Sequence, residues 1–359
     1  MIGSRKEDLD TPALLIDLDL MEKNIRQMAE FLKEKKAKLR PHTKVHRTPV
    51  IARKQMEAGA IGICCQKVRQ AEIMADAGIN DILIPNVIAT PDKINRLTAL
   101  AKRSNITVLI DDAANAEQLS LSAQRIGTSL NVFVDVYVGT QRFGLDPGEP
   151  VLKLVKQVTA MGGLRFSGLM CHIGFLSHFE PRTERRSRAK QAELPLIETK
   201  KLLERTGIKV EKLSSGTTGT YDVTADNQEI TEIRAGSYAL MDRSYHESVP
   251  EFGCAMRVLG TVISRNPKGI IVLDVGMASM STEHGSPAVV GDDNLSVYQV
   301  HAENSLLKPD KPSNIRIGDK LELIPSYLDG TVVRNEKFYG MRKGVVEEVW
   351  EIAGRNASN

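Results

Sequence analysis

Long apolar runs are missing from this 359-residue chain. The longest, over residues 131–138 and 269–275, are strand-sized and too short to span a bilayer. Excess charge of one sign is missing too. The net charge is +3 with both signs interspersed, so neither a nucleic acid nor an anionic membrane is expected as a partner. The first ten residues are polar and charged and lack the apolar stretch of a signal region. The four cysteines, Cys64, Cys65, Cys171 and Cys254, show neither disulfide nor zinc spacing. That pattern fits a reducing cytosol, and Cys64-Cys65 reads as strand core. Low-complexity segments are absent. So is the GxGxxG turn that would open a dinucleotide-binding sheet: the first strand ends in Pro41-His42-Thr43-Lys44 instead.

What is present is a long alternation of strands and helices. Strand-like runs begin near residues 38, 60, 81, 107, 131, 165, 209 and 232, and most are separated by a helical pattern. The repeat of roughly 25 residues implies a parallel sheet with crossover helices. Eight units imply a closed (β/α)8 barrel, with an open doubly wound sheet as the structural alternative. After Ser244 the texture changes to short strands with turns, over 258–264, 269–275, 295–300, 320–324 and 345–352. The expected architecture is therefore α/β: a barrel over 12–244 and a mainly-β domain over 245–359, joined by residues 1–11.

Barrel enzymes place their chemistry at the C-terminal ends of the strands. Here those ends carry Lys44, Gln66, Asn86, Asp111, Gly139 with Arg142, His172, the run Ser215-Gly216-Thr217-Thr218-Gly219-Thr220, and Gly236-Ser237-Tyr238. Lys44 lies between His42 and His46 and follows Pro41. A buried lysine among cationic groups loses proton affinity and becomes an amine nucleophile, as an imine to an aldehyde cofactor requires. The same octapeptide also suits a basic surface loop with Lys44 solvated. The Gly/Thr-rich run after strand seven and the Gly-Ser-Tyr turn at strand eight suit a phosphate, because glycine lets backbone N–H groups approach and hydroxyls add donors. Strands one and eight are neighbours in a closed barrel, so one molecule with a phosphate and an aldehyde can reach both. Pyridoxal phosphate has both groups.

The stretches DLDTPALLIDLD, RPHTKVHR, QAEIMADAGINDILIPN, DVYVGTQRFGL, GLMCHIG, SSGTTGTYD, TEIRAGSYALMD and KGVVEEVWEIAGRN run through almost the whole chain. Through them it resembles the fold-type III pyridoxal-phosphate enzymes, with their alanine racemase N-terminal-like barrel, and within them the D-threonine aldolase / D-serine dehydratase branch. The resemblance implies that Lys44 holds the cofactor as an imine and then serves as acid/base. It implies that Gly216, Thr217, Gly236, Ser237 and Tyr238 hold the phosphate, that Arg142 lies by the ring oxygen, and that His172 lies against the ring face. Thr218 and Thr220 fit either the phosphate site or a plain loop. Of His42 and His46, one is expected to support the lysine and the other to cap a helix. Cys171 and Phe175 are placed by position at the pocket wall. A homodimer is implied as well, with the β domain of one subunit closing the site of the other.

The chain departs from the family at one place. The branch carries a divalent metal on a Pro-Ser/Asn-His-x-Asp/Cys motif, where this chain has Pro325-Ser326-Tyr327-Leu328-Asp329. A family Glu-His pair is likewise changed, to Glu303-Asn304. A neutral phenol is a poor metal ligand. His301, His284 and His246 are not spaced to replace it. Three readings stay open. Mg²⁺ or Mn²⁺ binds through Asp329, waters and substrate; or the site is metal-free with Tyr327 as acid/base on the hydroxyl; or Lys44 and Tyr327 are the two bases of an amino-acid racemase. The first reading for the activity is a cytoplasmic lyase acting on β-hydroxy D-amino acids, aldolase-type because Asp329 replaces the dehydratase cysteine. Racemase and D-serine dehydratase-type lyase are the alternatives. A non-catalytic pyridoxal-phosphate carrier fits less well, because small carriers consist of the barrel alone.

Overall fold

The computed structural model describes residues 1–358. The chain folds into two compact units. One comprises Met28–Lys44, Ile51–Gly236 and Ala357 onward; the other comprises Met1–Gln27, Val45–Val50 and Ser237–Asn356.

Among the described residues, the first unit holds eight parallel strands: β1 (Lys38–Leu39), β2 (Ile63–Cys64), β3 (Asp81–Ile84), β4 (Asn105–Ile110), β5 (Leu130–Asp135), β6 (Leu164–Met170), β7 (Lys212–Ser215) and β8 (Glu232–Ile233). They pair in the order β1-β8-β7-β6-β5-β4-β3-β2. The ring closes between β1 and β2 through Ile61 N–H to Leu39 C=O (2.9 Å), Cys64 N–H to Pro41 C=O (2.8 Å) and a parallel bridge between His42 and Cys64. The barrel is thus the expected one. Its strands read as unbroken apolar runs because both faces are covered, the inner by the barrel core and the outer by helices. Cys64, Leu83, Leu109, Phe133 and Met170, from five successive strands, form one interior cluster.

One ion-pair network pins the seam where the strand order closes. Arg40, just past β1, is 3% exposed and meets Glu232 of β8 at 3.0 Å, with Glu232 at 1%. Its other guanidinium nitrogen reaches Asp81 at the start of β3. Lys212 of β7 adds a longer contact to Glu232, at 3.4 Å. A buried guanidinium needs such company, since leaving it unpaired in a low-dielectric interior is costly.

The second unit is a mainly-β sheet with the strand order Leu295–Val300, Ser305–Pro309, Ile271–Leu273, Met256–Arg265, Ala13–Asp17, Lys337–Arg342, Val345–Glu351; Lys320–Ile324 branches from Met256–Arg265. The boundary of the units differs from the expected one. Ala13–Asp17, taken as the entry to the barrel, pairs antiparallel with Met256–Arg265 and parallel with Lys337–Arg342. Four of its five residues are buried, so a central β-sheet strand and a barrel strand read alike in one dimension. The strand Ser305–Pro309 is not evident from the sequence, because it ends in a proline and follows Glu303-Asn304, a turn-like pair.

Candidate active site

Lys44 is positioned by the close of β1. After Leu39 the chain passes buried Arg40 and Pro41 and turns through a 3-10 helix at Thr43–Val45. Thr43 donates its hydroxyl to the Cys64 carbonyl at 2.9 Å, fixing the turn to β2. The Lys44 amide donates to His42 Nδ1 at 3.4 Å, which puts the ring proton on Nε2, and Nε2 donates to Gln66 Oε1 at 3.1 Å. Asn86, past β3, donates to the Gln66 carbonyl at 3.3 Å. Polar groups from the ends of β1, β2 and β3 therefore form one connected set around a half-buried lysine. His42 contacts the backbone of the lysine segment, and His46 Nδ1 accepts the Thr48 amide at 3.3 Å, just before the helix Pro49–Glu57.

On the facing strands the charges are arranged around His172. Burial, and then the cations Arg234, Arg142 and Lys44, push its pKa down to about 2, so the imidazole is neutral. Arg142 is exposed and stacks over Phe143, 4.8 Å from the ring centroid. Two groups at this end went unnoticed in the sequence. Arg234 is 6% exposed and donates to Ser214 Oγ at 3.0 Å and to the Cys171 carbonyl at 2.5 Å. An arginine in the apolar run that ends strand eight was the signal. Asp135, at the end of β5, is 1% exposed, and its Oδ1 has no hydrogen-bond partner. Burial raises its pKa well above the usual carboxylate range, against the opposing pull of Arg234. Cys171 is fully buried and its thiol is pushed up to about 12, so it lines the site without being a nucleophile. Phe175, the other residue placed at the pocket wall, is half-exposed, with its ring edge against Gly139.

The loop after β7 is compact. Gly216 adopts φ +76°, a conformation that other residues reach at a cost. Thr217 N–H donates to Thr220 Oγ1 (3.1 Å), and the Thr217 hydroxyl meets that of Ser177 (2.8 Å). Thr218 and Thr220 are buried. Behind them Glu193, 0% exposed, accepts from Thr224 Oγ1 (2.8 Å) and Asn227 Nδ2 (3.0 Å) and tethers the loop to the helix Arg182–Arg205. A Cβ on Gly219 would collide with the Ser177 carbonyl, and one on Gly236 with the His42 carbonyl oxygen. The absence of side chains there lets the backbone after β7 and β8 approach the Lys44 segment. Gly236→Ala is expected to lower pyridoxal-phosphate affinity at least about tenfold, read by titrating the stripped protein. Gly59→Ala, where a Cβ meets nothing within 4 Å, serves as a control costing about 1 kcal/mol of stability from backbone strain alone. An unchanged affinity in Gly236→Ala would remove the close-approach argument.

Ser237 and Tyr238 begin the next stretch of the β unit, in the 3-10 turn Ser237–Ala239. Both are buried, and Tyr238 packs edge-on against Phe252 at 5.8 Å. In the same unit Tyr327 precedes the short helix Leu328–Val332 and donates its hydroxyl to Asp329 Oδ2 at 3.2 Å. The ring of His284 lies against that of Tyr327, with centroids 4.4 Å apart. The two rings are 43 residues apart in sequence, and the fold joins them without making His284 part of a metal-holding cluster among the described residues.

A family model described as alanine racemase, N-terminal domain matches residues 16–244, and a serine dehydratase domain model matches 255–341. The D-threonine aldolase of Arthrobacter sp. is 35% identical over 355 residues, covering 98% of this chain and 94% of that protein. The 3-hydroxy-D-aspartate aldolase of Paracoccus denitrificans (strain Pd 1222) is 33% identical over 364 residues, with the same coverage. The crystal structure of D-threonine aldolase from Filomicrobium marinum superposes with a TM-score of 0.97 at 34% identity, over 100% of this chain and 99% of that one. The chain belongs to the D-threonine aldolase-like family of fold-type III pyridoxal-phosphate lyases. The D-threo-3-hydroxyaspartate dehydratase of Delftia sp. HT23 shares the fold, with a TM-score of 0.86 at 23% identity.

The barrel residues of this lyase fit the family's cofactor. A half-buried amine, a neutral flat imidazole, an exposed arginine and glycines that open the backbone after β7 and β8 are the donor set that a phosphorylated pyridine aldehyde requires. The donor set for the family's metal does not fit. Among the described residues, no three His, Cys, Asp or Glu side chains converge to hold an ion. The usual imidazole is a phenol, and burial beside Asp329 raises its pKa well above that of an ordinary tyrosine. No helix among the described residues is long and apolar enough to cross a membrane.

Proposed function

We propose that this lyase cleaves a β-hydroxy D-amino acid between Cα and Cβ, giving glycine and an aldehyde. The observation that carries the reading is Asp329, a carboxylate where the dehydratase side of the family has a thiol. Retro-aldol cleavage needs a base at the β-hydroxyl, whereas dehydration needs an acid there. The two aldolases that align over nearly the whole chain support the same choice. Racemisation through Lys44 and Tyr327 is the weaker reading. The Tyr327 phenol donates its proton to Asp329 and is held protonated, and the alanine racemase of Clostridium perfringens (strain ATCC 13124) aligns over only 44% of the chain.

Bound pyridoxal phosphate supplies the electron sink for charge that develops at Cα. In our assignment Lys44 Nζ holds the cofactor and later returns a proton to Cα. Gly216, Thr217, Gly236, Ser237 and Tyr238 hold its phosphate, Arg142 faces its ring oxygen, and His172 covers its ring. A neutral imidazole excludes water from the ring without adding charge beside the amine. Four cysteines, all free and buried, suit the reducing cytosol in which we place the enzyme. We also assign it as a homodimer. Sedimentation should give about twice the 39.5 kDa chain mass, and a fully active monomer would refute that assignment.

Proton NMR in D₂O with D-threonine, D-serine and D-3-hydroxyaspartate tests the activity. Glycine with an aldehyde is the expected result. Deuterium at Cα with appearance of the mirror-image amino acid, and no C–C cleavage, would replace the lyase by a racemase.

A further inference from the structure

In the β unit the loop 325–331 is held from several sides. Ser326 Oγ donates to the Ser281 carbonyl at 3.3 Å, and Thr331 Oγ1 accepts the Ser281 amide at 3.1 Å. The Leu328 amide donates to Asp242 Oδ2 at 2.9 Å, and the Thr331 hydroxyl donates back to the Tyr327 carbonyl at 2.8 Å. A Cβ on Gly330 would press on Ser281 Oγ. The loop that carries Tyr327 and Asp329 is thereby held in place, with the His284 ring packed on the phenol. His284 therefore faces Tyr327 ring to ring, and the phenol proton already occupies one Asp329 oxygen.

We infer that the hydrogen-bonded pair Tyr327–Asp329 replaces the divalent ion of the family, and that the lyase cleaves its substrate without a metal. Asp329 accepts the proton from the substrate β-hydroxyl, while the Tyr327 phenol keeps its hydrogen bond to Asp329 Oδ2 and holds the carboxylate in place. The Cα–Cβ bond breaks, its electron pair stays with Cα, and the oxygen's electron pair closes the aldehyde C=O. This rests on the retro-aldol reading of the site.

The test has one arm that needs no turnover. Holoenzyme stripped with EDTA is titrated with Mn²⁺ by calorimetry, beside the variant Tyr327→His. The wild type should take up no stoichiometric ion, and Tyr327→His should take up one per chain. In the second arm, wild-type cleavage should be unchanged by EDTA. Asp329→Asn, which keeps the shape of the side chain, should lose about 10²–10⁴-fold in kcat with or without Mn²⁺. Tyr327→Phe should lose kcat while retaining the bound-cofactor absorbance, which also verifies its fold. Stoichiometric Mn²⁺ on the wild type, or loss of cleavage with EDTA, would overturn the inference. Absence of cleavage under every condition, together with racemisation, would instead overturn the lyase reading, and the calorimetry would still decide the metal question.

Discussion

Lys44→Ala is expected to abolish the visible absorbance of lysine-bound pyridoxal phosphate and to lower turnover at least about 10⁴-fold, because one substitution removes both the cofactor's amine and the acid/base at Cα. The turn itself should survive. Its anchors are the Thr43 hydroxyl on the Cys64 carbonyl and the backbone hydrogen bonds Ile61 N–H to Leu39 C=O and Cys64 N–H to Pro41 C=O, none of which uses the lysine side chain. Circular dichroism of the variant should match that of the wild type. Lys44→Arg is the sharper control: it keeps the positive charge, but a guanidinium does not deprotonate to give a nucleophile. Its turnover should be as low as that of the alanine variant. Substantial turnover by either protein would show that another amine holds the cofactor, and the assignment of the whole strand-one end would fall with it.

The second large effect is on stability. Glu232→Ala is expected to cost about 3–5 kcal/mol, the range for leaving one member of a buried ion pair without its partner. Arg40 is 3% exposed and cannot swing out to water. Asp81 remains to it, but a third of that side chain faces solvent, so its charge compensates less than that of the buried carboxylate. The damage falls where β1, β8 and β3 are joined, next to the turn that carries Lys44. Chemical denaturation monitored by circular dichroism gives the value directly. The double variant Arg40→Met/Glu232→Leu should recover most of the loss, because replacing a buried pair by apolar groups removes both desolvation penalties. A cost below about 1 kcal/mol for Glu232→Ala would mean that water reaches the pair and that the seam is held by its backbone hydrogen bonds.

The barrel was legible because its signal is local and repeated. Apolar strand runs and helical patterns alternate at a near-constant period, and observed strand starts at 38, 81, 130, 164 and 232 fall on or within one residue of the expected ones. Lys44, Arg142, His172 and the glycines after β7 and β8 could be proposed for a related reason: barrel enzymes carry function at strand ends, and strand ends can be counted. The β unit was less legible. Its strands are joined by turns of varied length, and Ala13–Asp17 pairs with segments more than two hundred residues away. Asp135 and Arg234 were missed because charged residues at the ends of apolar runs look like the wet edges of loops until burial is known.

The sequence by itself determined the alternation that makes a (β/α)8 barrel, the lysine turn, the glycines after strands seven and eight and the replacement of a histidine by Tyr327. Those are properties of short windows, set by side-chain period and residue type. Only the tertiary structure decided that His42 holds its proton on Nε2, that cations and burial keep His172 neutral, and that the His284 ring packs on that of Tyr327. Each depends on which atoms approach one another in the folded chain, because electrostatics and packing act through space rather than along the backbone.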